Sequence, residues 1–251
     1  MELTFNGNTA IVTGAASGIG AAIAEELAAS GATVVVADLK QEAAQEEADR
    51  ITKAGGKAVA YAGNVADPDE VKALVDFAVN ETGGLHMLVN NAGIGGPQAT
   101  TGDYPVDGWK NVIDINLNGV FYGLRYGIPA MKASGGGSIV NIASILGSVG
   151  IANSAAYVAA KHGVVGLTKS AAIEHAQDGV RINSVGPGFI KTPLVEASLD
   201  EETRAALSAA HPIGRMGDAK EVAALVTFLL SDQASFITGS YHLVDGAYTA
   251  Q

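Results

Sequence analysis

Tyr157 and Lys161 stand four residues apart in a stretch, 153–163, whose alanines favour helix. On a helix that spacing puts both side chains on one face, about 5–6 Å apart at Cβ. An ammonium beside a phenol favours the phenolate, and drawing a tyrosine from about 10 toward neutrality takes about 1.4 kcal/mol per pKa unit. A pair of this kind can move a proton near neutral pH without histidine. Standing alone, it also describes the surface of an ordinary amphipathic helix.

A second group of residues suits a phosphate ligand. Gly14, Gly18 and Gly20 follow the apolar, β-branched run 9–13 and open a helical pattern that extends to about Ser30. Strand, glycine-rich turn and helix in that order are the context of a dinucleotide-binding turn. The glycines let backbone approach a pyrophosphate, and the helix N-terminus offers it free N–H groups and a partial positive charge. The spacing is G-x-x-x-G-x-G and not the commoner G-x-G-x-x-G, and glycine turns without any ligand are also common. Asp38 ends the next apolar run, 33–37, at the distance where dinucleotide folds set a carboxylate on the adenosine ribose hydroxyls. An aspartate in a loop after a strand fits the same pattern.

The elements that would position these groups alternate along the chain. Further strands are expected over 57–61, 86–90, 138–143, 181–185 and 241–244, with helices over 68–80, 106–131, 154–176 and 218–230. Near-continuous apolar strands separated by helices predict a single-domain, doubly wound parallel α/β sheet of about seven strands, with helices on both faces. Functional groups then belong at the carboxyl ends of the strands, where Gly14, Asp38, Asn64, Asn91, Gly93, Ser144, Pro187 and Gly188 fall.

Composition narrows the partners. With 251 residues, 48% of them hydrophobic, the chain can bury one substantial core. No apolar run approaches the roughly 20 residues of a membrane span. The first residues lack the basic and apolar regions of a signal peptide, so the cytoplasm is expected. Cysteine is absent, which removes disulfides and thiolate chemistry. A net charge of −11 argues against nucleic acid or anionic membrane as partners. The five histidines show no metal-ligand spacing, so no metal is assigned to the site.

Taken together, Thr13 to Gly20, Asn90 to Gly93, Asn116, Ser144, Tyr157, Lys161 and Pro187-Gly188 resemble the short-chain dehydrogenase/reductase family in order and spacing, over essentially the whole chain. The resemblance implies a Rossmann-type domain with hydride transfer between a nicotinamide and a carbonyl or alcohol. It makes Tyr157 the acid/base and sets Ser144 on the substrate oxygen. Lys161 then lowers the tyrosine pKa and holds the nicotinamide ribose, while Asn116 supports a water that links Lys161 to solvent. The cofactor contacts it implies are Gly14, Ser17, Gly18, Ile19, Gly20, Asp38, Leu39, Asn64, Val65, Asn91, Ala92, Gly93, Tyr157, Lys161, Pro187, Gly188, Ile190 and Thr192. Asn64 departs from the aspartate commoner at that position. Ser144 as a strand-end cap and Asn116 as a buried amide are the alternatives for those two residues.

Charge indicates which dinucleotide is preferred. A 2′-phosphate needs a cation in the glycine turn or after the second strand, whereas this chain has Ala15, Ala16 and Ser17 in the turn and Asp38 after the strand. NAD is therefore expected, with Lys40 the one residue that could reach back. The substrate wall implied by the family is Ile94, Ser144, Ile145, Leu146, Tyr157, Phe189, Leu194 and Val195, beneath a lid over 189–212. It is apolar and lacks an arginine clamp, which favours a neutral, fairly hydrophobic secondary alcohol or ketone. The segments 121–125, 190–195 and 244–251 look like the secondary-alcohol dehydrogenases of lactobacilli within the family. That likeness implies a homotetramer and allows a structural magnesium near the C-terminus. A 3-oxoacyl-carrier-protein reductase and a polyol or sugar dehydrogenase are the alternative activities, and a nucleotide-binding protein without turnover is the alternative of another class.

Overall fold

The computed structural model describes residues 3–192, 195 and 200–251. Strands β1 (Thr9–Thr13), β2 (Thr33–Asp38), β3 (Lys57–Ala62), β4 (Met87–Asn90), β5 (Gly137–Ile142), β6 (Val180–Pro187) and β9 (Tyr241–Val244) form one sheet, in the order β3-β2-β1-β4-β5-β6-β9. Every pairing in it is parallel. A two-residue pair, β7 (Ile190–Lys191) with β8 (Gly217–Asp218), lies outside it.

Alternation along the strands divides the core into two layers. Val12, Val34, Val36, Met87, Val89 and Val140 face helices α1 (Gly18–Ala29), α2 (Gln41–Lys53) and α8 (Ala219–Leu230). Ile11, Val35, Leu88, Ile139 and Ile182 face α3 (Pro68–Thr82), α5 (Gly119–Ala133) and α6 (Ala155–His175). The strands are apolar on both faces because both faces are covered. Remaining helices are α4 (Val106–Ile113) and α7 (Glu201–Ala209). None of the described helices is long and apolar enough to cross a membrane.

The seven sheet strands lie where the apolar runs predict, with ends shifted by one or two residues. Helix α2 has no counterpart among the expected elements. Its buried face is only Ala44, Glu47, Ala48 and Ile51 among charged neighbours, too thin an apolar stripe to stand out. The helix expected over 106–131 is α4 and α5 joined by a π turn, Asp114–Asn118, that carries Asn116. Within 189–212, α7 starts on a run of acids, with Asp200 accepting from Thr203 N at 2.8 Å. The segment is anchored at both ends: β7 pairs with β8 after it, and His211 accepts from Phe189 N at 3.2 Å. Leu194 lies outside the described residues, as does part of the lid expected over 189–212.

Candidate active site

Glycine geometry builds the phosphate end of the site. Gly14 and Gly18 have φ of +62° and +56°, a region that side chains disfavour. A Cβ on Gly20 would lie 2.2 Å from Gly14 O, so only glycine lets the turn fold back on α1. Ser17 caps α1 without a side-chain bond, and no acid occupies its first turn. The positive end of the helix is left for an anion.

Polar side chains hold that turn from two sides. Thr13 Oγ1 accepts from Asn91 N at 3.0 Å and Ala92 N at 3.1 Å. Asn91 Nδ2 donates to Thr13 O at 2.8 Å and Gly14 O at 3.1 Å. Asp38 Oδ2 accepts from Ala16 N at 3.0 Å, and Oδ1 from Leu39 N at 2.8 Å. Asn91 and Asp38 thus brace the turn; each Asp38 oxygen keeps a lone pair for a ribose hydroxyl. Thr192 closes the other side, its Cγ2 lying 3.2 Å from the place of a Cβ on Gly18. Asp38, the turn and this open backbone fit the adenosine and pyrophosphate of a nicotinamide dinucleotide.

The residues expected to handle the proton meet near the ends of β4 and β5. Ser144 follows β5 in extended backbone, and its Oγ accepts from Leu146 N at 3.2 Å, which leaves its own proton free to donate. Tyr157 and Lys161 share one face of α6, with Lys161 Nζ 5.5 Å from the Tyr157 ring centroid. Lys161 is 3% exposed, and Nζ donates to Ile142 O at 2.8 Å. Asn116 Nδ2 donates to Ile94 O and its Oδ1 accepts from Ile94 N, each at 2.8 Å, which clamps the loop after β4. A methyl group on Gly93 would sit 3.2 Å from Asn116 Oδ1 and 3.7 Å from Lys161 Nζ, so glycine keeps open the space between them.

Burial dominates both titrating groups. It pushes the Tyr157 phenol up from its ordinary value, and a hydrogen bond with the Ser144 side chain pulls it part of the way back. In the chain alone the phenol is thus raised and not lowered, because desolvation is the largest influence on it. Burial also lowers Lys161, to about 8.

Several contributors had no short-range signal in the sequence. Tyr241 OH on β9 donates to Ser144 O at 2.5 Å across 97 residues. Asn90 Nδ2 donates to Asn141 Oδ1 at 2.8 Å and Asn141 Nδ2 to Thr168 Oγ1 at 2.9 Å, a buried chain from β4 through β5 to α6. His211 is buried, and Nδ1 bonds Leu207 O at 2.8 Å while Nε2 accepts from Phe189 N, which fixes the neutral Nδ1–H tautomer.

The expected substrate wall is only partly assembled. Ile94 and Val195 are half-buried, but Ile145 and Leu146 form the short turn after Ser144 and are buried in it. Phe189 packs on His211 and Tyr248, each at 5.8 Å between centroids. Pro187 is buried, Gly188 is half-buried beside His211, and Ile190 is buried in β7. Among the described residues no group of three or more His, Cys, Asp or Glu could hold a metal.

Residues 14–249 match the family model described as enoyl-(acyl carrier protein) reductase. The chain is 54% identical to the cyclohexanol dehydrogenase of Acinetobacter sp. (strain SE19), covering 100% of this chain and 98% of that protein. It is 48% identical to the cis-4-hydroxycyclohexanecarboxylate dehydrogenase of Sinomonas cyclohexanicum, over 100% of both. Among solved structures, levodione reductase superposes with a TM-score of 0.93 at 38% identity, covering 98% of this chain and 99% of that one.

The buried ammonium sets a pH test. Lys161 titrates near 8 in the folded chain and near 10.5 unfolded, so its burial penalty is present in full below pH 8 and fades between pH 8 and 10.5. Lys161→Met is expected to melt above the parent at pH 7, with the gap narrowing toward pH 10.5. A gap that stays constant across this range in paired thermal melts would show that Lys161 carries no such penalty.

Proposed function

The chain belongs to the short-chain dehydrogenase/reductase family, and on that footing we propose that it interconverts a neutral cyclic secondary alcohol and its ketone, with NAD as hydride carrier. The observation that carries the reading is Tyr157 and the buried Lys161 on one face of α6, with Lys161 Nζ 5.5 Å from the Tyr157 ring, next to a glycine cradle that fits a dinucleotide. Two relatives named for ring alcohols point to the substrate class. The loops 94–100 and 145–154 carry no basic side chain that would hold a carboxylate, which favours an uncharged ring.

Bound nicotinamide supplies the hydride acceptor for oxidation and the donor for reduction. The Ser144 hydroxyl donates to the substrate oxygen and holds it at Tyr157. Tyr157 takes the hydroxyl proton during oxidation and returns it to the alkoxide during reduction. Lys161 sustains the phenolate with its ammonium and lies beside the open space at Gly93, through which a water can link it to Asn116. Part of the proposal is that 189–212 covers the substrate.

Assembly follows from the surface. Trp109 on α4, Phe121 on α5 and Ile173 on α6 are exposed apolar side chains, and they support association of the chain with copies of itself as a tetramer. Sedimentation at micromolar concentration is expected to give four times the chain mass, and a monomer would contradict it.

The activity test follows reduced-nicotinamide absorbance with cyclohexanol, cyclohexanone and their 4-carboxylates. Turnover is expected on the uncharged pair, and Tyr157→Phe should lower it about a hundredfold or more while dinucleotide binding persists. Near-normal turnover in that variant would remove Tyr157 from the mechanism. Asp38→Ala with Ser17→Arg is expected to reverse preference from NAD to NADP. Total efficiency should fall as well, because Ala16 N loses the carboxylate that braces the turn. A parent enzyme that already prefers NADP would defeat the charge argument.

A further inference from the structure

The edge strand β9 sends a phenol across its neighbour to the residue that holds the substrate oxygen, and we infer, on the footing of the hydride-transfer reading above, that Tyr241 is a positioning residue which sets the direction of the Ser144 hydroxyl. Ser144 follows β5, and β6 lies between β5 and β9 in the sheet. Tyr241 pairs with Ser184 on β6, so its side chain shares a sheet face with Ser184 and, two residues on, with Gly186. A Cβ on Gly186 would lie 2.6 Å from Tyr241 Cε2 and Cζ. The ring therefore crosses β6 where a side chain is missing, and its hydroxyl donates to Ser144 O at 2.5 Å. Burial pushes the Tyr241 phenol up from its ordinary value, which keeps it a protonated donor at neutral pH.

What the bond does follows from how the end of β5 is held. Ile142 O accepts from Lys161 Nζ at 2.8 Å and Ala143 N donates to Val185 O at 2.8 Å, so the peptide that joins them is pinned on both edges. Two residues on, Ser144 O accepts from Gly147 N at 2.8 Å as well as from Tyr241. Gly147 belongs to the short turn after Ser144 and moves with it, whereas Tyr241 is part of the sheet. The phenol thus ties the Ser144 carbonyl to the sheet. With both peptides held, the backbone at Ser144 has little room to rotate, and Oγ projects in one direction. A hydroxyl that donates to the substrate oxygen gains most when that oxygen becomes an alkoxide, so misplacing it by about 1 Å falls on the transition state and can cost about a hundredfold. Loss of the phenol oxygen would leave Ser144 O with Gly147 N, so no buried acceptor is stranded.

Tyr241→Phe keeps the ring and deletes the bond. On the ring alcohol that the parent turns over fastest, it is expected to lower kcat about tenfold, with KM and the Kd for reduced NAD within about twofold of the parent. The decisive comparison repeats the substitution in Ser144→Ala, as single turnovers with enzyme in excess so that slow reactions stay measurable. There Tyr241→Phe is expected to change the rate by less than about twofold, because the hydroxyl it steers is gone. A loss of about tenfold in both backgrounds would show a general structural effect and overturn the inference, as would a kcat for Tyr241→Phe within about twofold of the parent. Either result leaves the hydride-transfer reading standing. A parent without turnover on any secondary alcohol or ketone tried would remove the reading and the inference together.

Discussion

Strands β1 and β4 lie side by side, yet the chain leaves β1 for the layer of α1 and leaves β4 for the layer of α5. Where two neighbours diverge, their ladder stops and backbone groups lose their partners. The opening that results is the crevice of a doubly wound sheet. Here it is closed at its base by side chains: Thr13 Oγ1 takes two N–H groups from the β4 side, and the Asn91 amide takes two carbonyls from the β1 side. Everything above depends on that exchange. It seats the glycine turn, and the turn sets where a dinucleotide lies relative to Tyr157 at the end of the next crevice wall.

Desolvation dominates the two titratable groups at that wall. Lys161 keeps an ammonium almost out of water on one carbonyl, Ile142 O, beside a phenol that burial drives toward its neutral form. A group so placed titrates within reach of physiological pH, which an exposed lysine does not. The arrangement opposes stability, because an unpaired buried charge is among the more expensive features a fold can carry. Apolar packing on both faces of the sheet offsets it.

Much of this architecture is legible in the sequence, and the reason is local. A strand buried on both faces reads as a near-continuous apolar run rich in β-branched residues, as 33–37 does, and a turn that needs positive φ reads as glycine. Spacing of four reads as one helix face, which places Tyr157 over Lys161. The parts that stay hidden are those in which partners are far apart in the chain. Nothing near Ser144 announces the hydroxyl of Tyr241, and nothing near Asn90 announces Thr168. The balance of burial against charge at Tyr157 is hidden for the same reason, since desolvation is a sum over the whole neighbourhood. The π turn that bears Asn116 stays hidden too, because the mixture of Asp, Asn, Ile and Leu over Asp114–Asn118 singles out no particular kind of helical turn.

The last residues of the chain are riveted to the segment that follows α7. Ile213 N donates to Gly246 O at 3.3 Å, Gln251 Nε2 to Ala210 O at 3.2 Å, and Tyr248 completes an aromatic triangle with Phe189 and His211. Asp245 gathers the turn itself, accepting from Ala247 N, Thr249 N and Thr249 Oγ1. The C-terminal turn is therefore in mechanical series with the mouth of the crevice, although about 60 residues of chain separate Phe189 from Tyr248. A change in the C-terminal turn is therefore transmitted to Phe189 through Tyr248 and His211.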